Sequence, residues 1–301
     1  MFIRNFAGIK LIAMPQKGDA QNVHAVFNQF RESISKVDWD IHFWKHFLKN
    51  AIQDTIKSEP ESRRFFEAGF AVYDIPSDGP NGWLWVDGNE TFTIESKDLE
   101  EHRKNFFRVI LNLSLLKAYS AMEIFLFQCI LLAYFPQVEL KNGKSATKTC
   151  DEAIKKFFRE HPEIGKLETK NNRHLIAFLK CKGQSFTDFA AQPVRVNFKT
   201  DWEAFFEMMS ILRNVVGHQD TLLTNDSLNE IKTSAKDIFE VFFEYRKEEF
   251  GFYILHPKED SFGGVLSFIN DFSVNAVKFI FREKDLSFLG LVCVPGSPVP
   301  R

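Results

Sequence analysis

The longest apolar pattern in the chain, residues 97–136, constrains the fold more than any other feature of the sequence. Asp98, Glu100 and Glu101 stand near its start, where the positive end of a helix dipole favours acidic side chains, and Pro136 stops it. Between these ends, apolar side chains would cover much of the circumference of a helix. Because a helix of that kind has to be buried, we expect it to be the central helix of a helical core.

The same segment argues against a membrane protein. Its most apolar part, IFLFQCILLAYF at residues 124–135, is shorter than the roughly 20 residues that a bilayer requires, and it directly follows Glu123. The N-terminal residues contain Lys10 within their apolar run and lack a signal-peptide pattern of sufficient length. The four cysteines form no CxxC pair, which favours a reduced compartment. We therefore expect a cytoplasmic protein that has no membrane partner.

The segments on either side of this central helix predict further helices. Apolar side chains recur at three- and four-residue steps in residues 21–70, which indicates a long helix. WLWVDGNETFTI, residues 83–94, has two β-favouring runs around an Asp87-Gly88 turn signal, so we expect a short hairpin there. After the central helix we predict helices over Ala146–Glu160, residues 169–181, Trp202–His218 and residues 227–249.

These elements predict a mainly α protein that is built around a helical bundle. We expect three parts: an N-terminal helical extension with a short β-hairpin at residues 1–96, the bundle at 97–250, and a C-terminal appendage at 251–301. Within that appendage, two apolar runs flank the charged letters REKD in residues 277–294, and they fit either two strands or a helix and a strand. The final letters PGSPVPR indicate a disordered tail.

Charge is unevenly distributed along the chain, although the net charge is only −2. Residues 141–199 contain thirteen Lys or Arg and six Asp or Glu, a balance of +7, whereas residues 201–250 contain five and eleven, a balance of −6. A basic segment of this kind is typical of a surface that meets RNA phosphate, and Lys155, Lys156 and Arg159 are its predicted RNA-binding residues. The alternative is that these side chains only solvate helix faces.

SILRNVVGHQD, residues 210–220, is the most informative short stretch. Histidine moves protons near neutral pH, the arginine fork binds phosphate oxygens, and asparagine orients either partner. Such a set suits metal-free cleavage of RNA, whose 2′-hydroxyl is its own nucleophile. On a regular helix Arg213 and His218 would be separated by roughly 140°. They can therefore meet one substrate only if the helix ends or distorts, or if a second subunit completes the pocket.

The combination of this stretch with the long apolar helix resembles the HEPN superfamily of α-helical ribonucleases and nucleotide-binding modules. The resemblance rests on Arg213, Asn214 and His218 in RNxxxH spacing and on LLKAYSAMEIFLF with its embedded Glu123. It implies a bundle of four or five helices that forms a homodimer, catalytic Arg213 and His218, a supporting Asn214, and Glu123 as a polar residue facing the cleft. It also implies a metal-independent endoribonuclease without a cofactor, of the kind found in toxin–antitoxin and antiphage defence systems.

Two other interpretations stay open. The bundle is either that enzyme or a catalytically inactive module that binds RNA, a nucleotide or a protein partner such as an antitoxin or sensor. In a purely structural interpretation, His218 caps a helix end and Arg213 pairs with Glu203, Glu207 or another surface acid. His42 and His46 have the four-residue spacing of a helical metal pair, but no third ligand accompanies them in the sequence.

Overall fold

A computed structural model describes residues 20–58, 64–72, 85–136, 145–164, 167–218, 221–248 and 251–282 of the chain. The protein is mainly α-helical in these residues, as the sequence predicts. Its helices are α1 Ala20–Ser58, α2 Leu99–Tyr134, α3 Ala146–Glu160, α4 Arg173–Lys182, α5 Gln184–Ala190, α6 Trp202–His218, α7 Asn225–Ser234, α8 Lys236–Phe242 and α9 Phe262–Phe281. Its strands are β1 Arg64–Val72, β2 Trp85–Glu95, β3 Leu222–Thr224, β4 Phe243–Lys247 and β5 Phe252–Pro257.

The chain divides into two compact units. One unit is Trp39–Leu111, and the other combines Met1–Asp38 with Asn112–Arg301. The larger unit contains the C-terminal part of α2, where Leu115, Met122, Leu126 and Ile130 are fully buried. This confirms the central apolar helix, which spans 99–134 within the predicted 97–136. The predicted domain boundaries at 96/97 and 250/251 stay predictions.

The smaller unit corrects two expectations from the sequence. Helix α1 ends at Ser58, and the chain continues as β1 after a short interval, so the helix predicted over residues 21–70 is too long. β1 pairs with β2 in an antiparallel hairpin, but Asp87-Gly88 lies inside β2 rather than at its turn. The register shifts there, because Gly69 pairs with Thr91 and Ala71 pairs with Val86. The turn signal therefore marks an irregularity within a strand.

Three of the later helices were predicted with differing accuracy. α3 and α6 have the predicted bounds. The helix predicted over residues 169–181 begins four residues later at Arg173, because Asn171 and Asn172 both adopt left-handed backbone conformations, with φ of 52° and 57°. Such angles end regular helical structure, and asparagine tolerates them better than most residues.

The helix predicted over residues 227–249 is wrong. Ala235, with φ −137° and ψ 30°, separates α7 from α8, and the chain then enters β4. β5 lies between β3 and β4 in a three-stranded antiparallel sheet, with Tyr245 opposite Leu255. The aromatic runs FFEYRK and FYILHP favour strands, and this signal was missed. In the C-terminal appendage, residues 277–281 belong to α9 and Arg282 is its C-cap, while residues 283–294 of the predicted run and the predicted disordered tail lie outside the described residues.

Two of the described helices, α2 and α9, are long and apolar enough to cross a membrane by length and composition alone. Their most apolar windows are 67% and 50% buried within the protein, and core helices pass the same test. This finding is weak evidence for a membrane span, and the absence of a membrane partner stays a prediction.

Two adjacent glycines at the start of α9 provide a test of core packing. A Cβ on Gly264 would lie 2.6 Å from Cε1 and 2.9 Å from Cζ of the buried Phe242 ring, whereas a Cβ on Gly263 would meet nothing within 4 Å. We expect Gly264→Ala to lower the free energy of unfolding by about 1–3 kcal/mol through overpacking. The matched variant Gly263→Ala should raise it by up to about 1 kcal/mol, because alanine favours a helix more than glycine. Urea unfolding of both variants checks this, and equal values would contradict the packing described here.

Candidate functional site

The candidate site lies in the larger unit, where one face of α2 meets one face of α6. Tyr119 and Glu123 are four residues apart on α2 and therefore share a face. Ser210, Arg213 and Asn214 share a face of α6 because they are three and four residues apart. Tyr119 and Ser210 are buried, and the carboxylate of Glu123 approaches Arg213. The fold thus brings together three of the four predicted catalytic residues: Glu123, Arg213 and Asn214.

Two asparagines before α4 complete this polar cluster. Asn172 Nδ2 donates hydrogen bonds to Glu123 Oε1 at 2.7 Å and to the Tyr119 hydroxyl at 2.8 Å. Asn171 Oδ1 accepts a long hydrogen bond of 3.5 Å from Asn214 Nδ2. Because both asparagines have left-handed backbones, the turn that shortens α4 also places their side chains in the site.

Both terminal nitrogens of the Arg213 guanidinium have a neighbour in the cluster. Its Nη1 donates to Asn214 Oδ1 at 2.9 Å, and its Nη2 lies 4.0 Å from Glu123 Oε2. The side chain is 33% exposed, so part of the donor fork faces solvent. The structural alternative named Glu203 and Glu207 as partners, but Glu203 pairs with Lys180, and Glu207 pairs with Arg173. The structure therefore gives Arg213 an internal partner rather than either of these acids.

Burial changes the acidity of two groups in the cluster. Removal from water raises the pKa of the Glu123 carboxyl, and the opposing effects of Arg213 and the Asn172 hydrogen bond do not cancel this rise. Burial also raises the pKa of the Tyr119 phenol. Tyr119 therefore stays protonated at neutral pH, and Glu123 is a carboxyl that accepts a proton more readily than an exposed one.

The raised pKa of Glu123 predicts a pH-dependent effect of Glu123→Gln. A carboxyl whose pKa is higher in the folded than in the unfolded state lowers the free energy of unfolding of the protein as pH rises from the unfolded pKa through the folded pKa. Glutamine keeps the oxygen that accepts from Asn172 and removes this titration. We therefore expect the free energy of unfolding of the variant, relative to wild type, to increase between pH 4.5 and pH 8. Urea unfolding at several pH values measures it.

Glu230→Gln is the matched control, because the pKa of Glu230 is shifted in the opposite direction to that of Glu123. Burial alone would raise the pKa of Glu230, but the hydrogen bond and charge of Lys170, together with Arg173, lower it below the usual value. The stability contributed by such a group is present above the unfolded pKa and is lost as pH falls. The relative stability of Glu230→Gln should therefore decrease as pH rises. If both variants followed the same trend, our description of Glu123 would be wrong.

His218 is the fourth predicted catalytic residue, and the fold leaves it apart from the other three. It is the exposed last residue of α6, and its ring makes no hydrogen bond or ion pair with any described residue. The end of the helix is closed instead by the Thr221 N–H, which donates to the Val215 carbonyl at 3.3 Å. The structure thus does not show the histidine cap of the structural alternative.

The helix does not distort between Arg213 and His218. α6 continues through Gly217, and a Cβ on Gly217 would make only an ordinary contact of 3.4 Å with Leu116. A glycine makes distortion of a helix easy, but Gly217 does not bend α6. On a regular helix, Arg213 and His218 project roughly 140° apart. One chain consequently does not bring these two side chains to a common point.

A second polar cluster, which we call the Arg173 cluster, adjoins the site through Asn171. Asn171 Nδ2 donates to Glu230 Oε1 at 3.3 Å, and Arg173 contacts three glutamates. The cluster consists of Glu168, Lys170, Arg173, Glu207 and Glu230. It places three carboxylates and two cations beside the site, so the local charge there is slightly negative.

The predicted RNA-binding residues lie on α3 and are mostly paired. Lys155 Nζ lies 2.6 Å from Asp151 Oδ2, and Lys156 Nζ lies 3.6 Å from Glu160 Oε1. Arg159 is exposed, and its Nε donates to the Lys155 carbonyl. These pairs reduce the charge that the segment offers to phosphate, although Lys156 remains 69% exposed. Their role in RNA binding stays a prediction.

Asp151 also makes Lys155 a poor residue for a binding test. Its other carboxylate oxygen, Oδ1, is 2.7 Å from Nε2 of His174, which is only 3% exposed. Burial lowers the pKa of His174, and the hydrogen bond and charge of Asp151 oppose this effect. Removing Lys155 would therefore disturb a buried pair as well as the surface.

The sequence did not reveal Tyr119, Asn171 or Asn172 as members of the site. Tyr119 stands one helical turn before Glu123, so an i, i+4 search from the embedded acid would have found it. The Asn-Asn pair was a usable signal of left-handed backbone, since asparagine is enriched there. Its distance in sequence from both α2 and α6 hid its connection to them.

Metal ligation finds no support in the described residues. They contain no group of three or more His, Cys, Asp or Glu side chains arranged to hold an ion. His42 and His46 are both exposed on α1. The structure thus adds no third ligand to their four-residue spacing.

Comparison of the chain with known proteins gives no guide to its function, because no family model, curated protein or solved structure matches it significantly. The functional argument therefore rests on the geometry of the site.

Proposed function

We propose that this protein is a metal-independent endoribonuclease of the HEPN type that works as a homodimer. The observation that carries the proposal is the cluster of Glu123, Arg213 and Asn214. The exposed His218 lies at the end of α6, the helix that also holds Arg213 and Asn214. All four residues were singled out from the sequence, and three of them come together from two distant segments.

The side chains suit cleavage by the 2′-hydroxyl of RNA. Arg213 offers the exposed part of its guanidinium to a phosphate. Asn214 and Glu123 lie beside its two terminal nitrogens, so they act as positioning residues. His218 has an exposed imidazole without a partner among the described residues, and it would take a proton from the nucleophile or give one to the leaving oxygen. The product would carry a 2′,3′-cyclic phosphate.

The dimer follows from the direction of the two side chains. α6 stays regular, so Arg213 and His218 of one chain diverge by roughly 140°. A second copy related by a two-fold axis would place its His218 beside the first copy's Arg213, and the reverse contact follows by symmetry. Each dimer would then hold two composite sites, each with an arginine from one chain and a histidine from the other.

One observation favours a second candidate, a catalytically inactive module that binds RNA, a nucleotide or a protein partner such as an antitoxin. Arg213 is already engaged with Asn214 and close to Glu123, and the Arg173 cluster adds three carboxylates nearby. Such surroundings resist the approach of RNA phosphate. We place this candidate second because it leaves the exposed His218 without a role.

An RNA cleavage assay in EDTA separates the two candidates. We expect the full chain to cleave single-stranded RNA with EDTA present and to leave 2′,3′-cyclic phosphate ends, which mass spectrometry identifies. A protein that binds the RNA but does not cleave it would support the binding module. Cleavage that EDTA abolishes, or that leaves 3′-hydroxyl ends, would contradict the proposed mechanism.

A further inference from the structure

A separate pocket of about 500 Å³ lies at the far end of the larger unit's helices. Its lining includes Tyr134, Lys182, Phe186, Lys278, Phe279 and Arg282. Along α2, Tyr134 is eleven residues beyond Glu123, which corresponds to about 16 Å at the helical rise of 1.5 Å per residue. The pocket is therefore distinct from the proposed ribonuclease site, and its volume is within the range of small-molecule sites.

Three cations line this pocket without acidic partners. Among the described residues, no carboxylate forms an ion pair with Lys182, Lys278 or Arg282. Lys155, Lys170 and Lys180 of the larger unit each pair with an acid. Exposed lysines such as Lys148 and Lys247 have no such partner among the described residues either, so the pocket differs in bringing three cations together in one concave site. A cluster of unpaired cations in a concave site favours a ligand with more than one negative charge.

Aromatic rings form the other part of the lining. Phe186 and Phe279 meet edge to face with ring centroids 6.3 Å apart, and the Tyr134 hydroxyl donates to the Ile280 carbonyl at 3.3 Å. The Lys182 ammonium lies 3.9 Å from the centroid of the Phe157 ring and 5.8 Å from that of Tyr134. Lys182 is therefore held against rings, which leaves Lys278 and Arg282 to meet an anion directly.

The three cations also lie near the C-terminal ends of helices, whose partial negative charge favours positive side chains and so explains part of their presence here. α2, α4 and α9 end at this pocket with Tyr134, Lys182 and Phe281, respectively. Each helix C-terminus carries about half a negative charge, so three together supply about −1.5 against three positive side chains. An excess of about +1.5 is left, which the helix ends do not neutralise.

We propose that this pocket binds a nucleoside diphosphate, with its base against the aromatic rings and its phosphates on Lys278 and Arg282. The two cations are four residues apart, and the Arg282 N–H donates to the Lys278 carbonyl, so the end of α9 places both at one side of the pocket. A planar base contacts the half-buried rings of Phe279 and Tyr134, next to the buried Phe186, and the diphosphate supplies negative charge that no described carboxylate offers to these cations.

Calorimetric titration of the full chain with ADP, adenosine and pyrophosphate tests the proposal. We expect ADP to bind in the micromolar range and each of the other two to bind at least about tenfold more weakly, because each makes only half of the contacts. Lys278→Gln and Arg282→Gln keep side-chain polarity and should each weaken ADP binding about tenfold or more. Lys236→Gln is the matched control, since this 61%-exposed lysine lies outside the pocket and should leave binding unchanged.

Three results would overturn the proposal: no ADP binding at millimolar concentration, pyrophosphate binding as tightly as ADP, or undiminished ADP binding in both pocket variants. Thermal melting of each variant without ligand shows whether it is folded. If Lys278→Gln does not fold, Arg282→Gln decides the question, because Arg282 is exposed. None of these readouts depends on RNA cleavage, so the pocket and the proposed ribonuclease succeed or fail separately.

Discussion

Replacing His218 with alanine is expected to slow RNA cleavage at least about 100-fold, since a general acid–base group contributes about 10²–10⁴ in rate. The same change should alter the free energy of unfolding by less than about 0.5 kcal/mol. The side chain is exposed and has no partner among the described residues, and the Thr221 N–H already closes the end of α6. Cleavage of a labelled RNA gives the rate constant, and urea unfolding gives the free energy of unfolding.

His46→Ala is the control for this variant, because His46 is also an exposed histidine on a helix and lies outside the site. We expect it to cleave RNA at the wild-type rate. A His218→Ala protein with full cleavage would end the ribonuclease proposal. A loss of stability of about 1–2 kcal/mol would instead revive the helix-cap interpretation.

Arg213→Lys is expected to reduce cleavage by about 10²–10³, as the removal of one donor to a developing oxyanion does in other enzymes. Lysine keeps the positive charge near Glu123, so the change in folding stability should stay small. It loses the planar fork, whose two terminal nitrogens lie near Asn214 and Glu123 while part of the side chain stays exposed. A normal rate in Arg213→Lys would show that charge alone suffices and that the fork has no catalytic role.

Arg246→Lys is the matched control for the arginine variant. Arg246 on β4 is 70% exposed, and its Nη2 lies 2.7 Å from Glu248 Oε1, so it is also an arginine beside a glutamate. It lies outside the site, and we expect wild-type cleavage. If both lysine variants lost activity equally, a general effect of arginine replacement would explain the result better than the site does.

The sequence predicted the fold best where one strong pattern decided it. The central helix and α6 were recognised because apolar spacing and terminal signals agree over many residues. β4 and β5 pair with each other across a short connection, and they were missed because aromatic runs such as FFEYRK fit a helix face as well as a strand. Only the pairing of β5 with β3, which lies before α7 and α8, is a tertiary contact that a local pattern does not contain.

Three members of the site, Glu123, Arg213 and Asn214, were predictable from the sequence, whereas its other members and its arrangement were not. Glu123 and Arg213 were both identified through the resemblance to the HEPN superfamily, Glu123 as the acid embedded in the long apolar helix and Arg213 by its spacing to His218. Neither signal shows that Asn172 connects Glu123 to Tyr119, because that contact depends on two left-handed residues before α4. The sequence also could not show where the His218 side chain points, because that depends on whether the helix bends at Gly217.

The central claim is that each active site combines Arg213 of one chain with His218 of another, and a mixing experiment tests it most directly. Arg213→Lys and His218→Ala chains are co-expressed with different tags, and the mixed dimer is purified through both. Each mixed dimer then has one site with both changes and one site with neither, so the account predicts about half of the wild-type activity per dimer. Mixed dimers as inactive as either variant alone, or a wild-type enzyme that is fully active as a monomer, would contradict it.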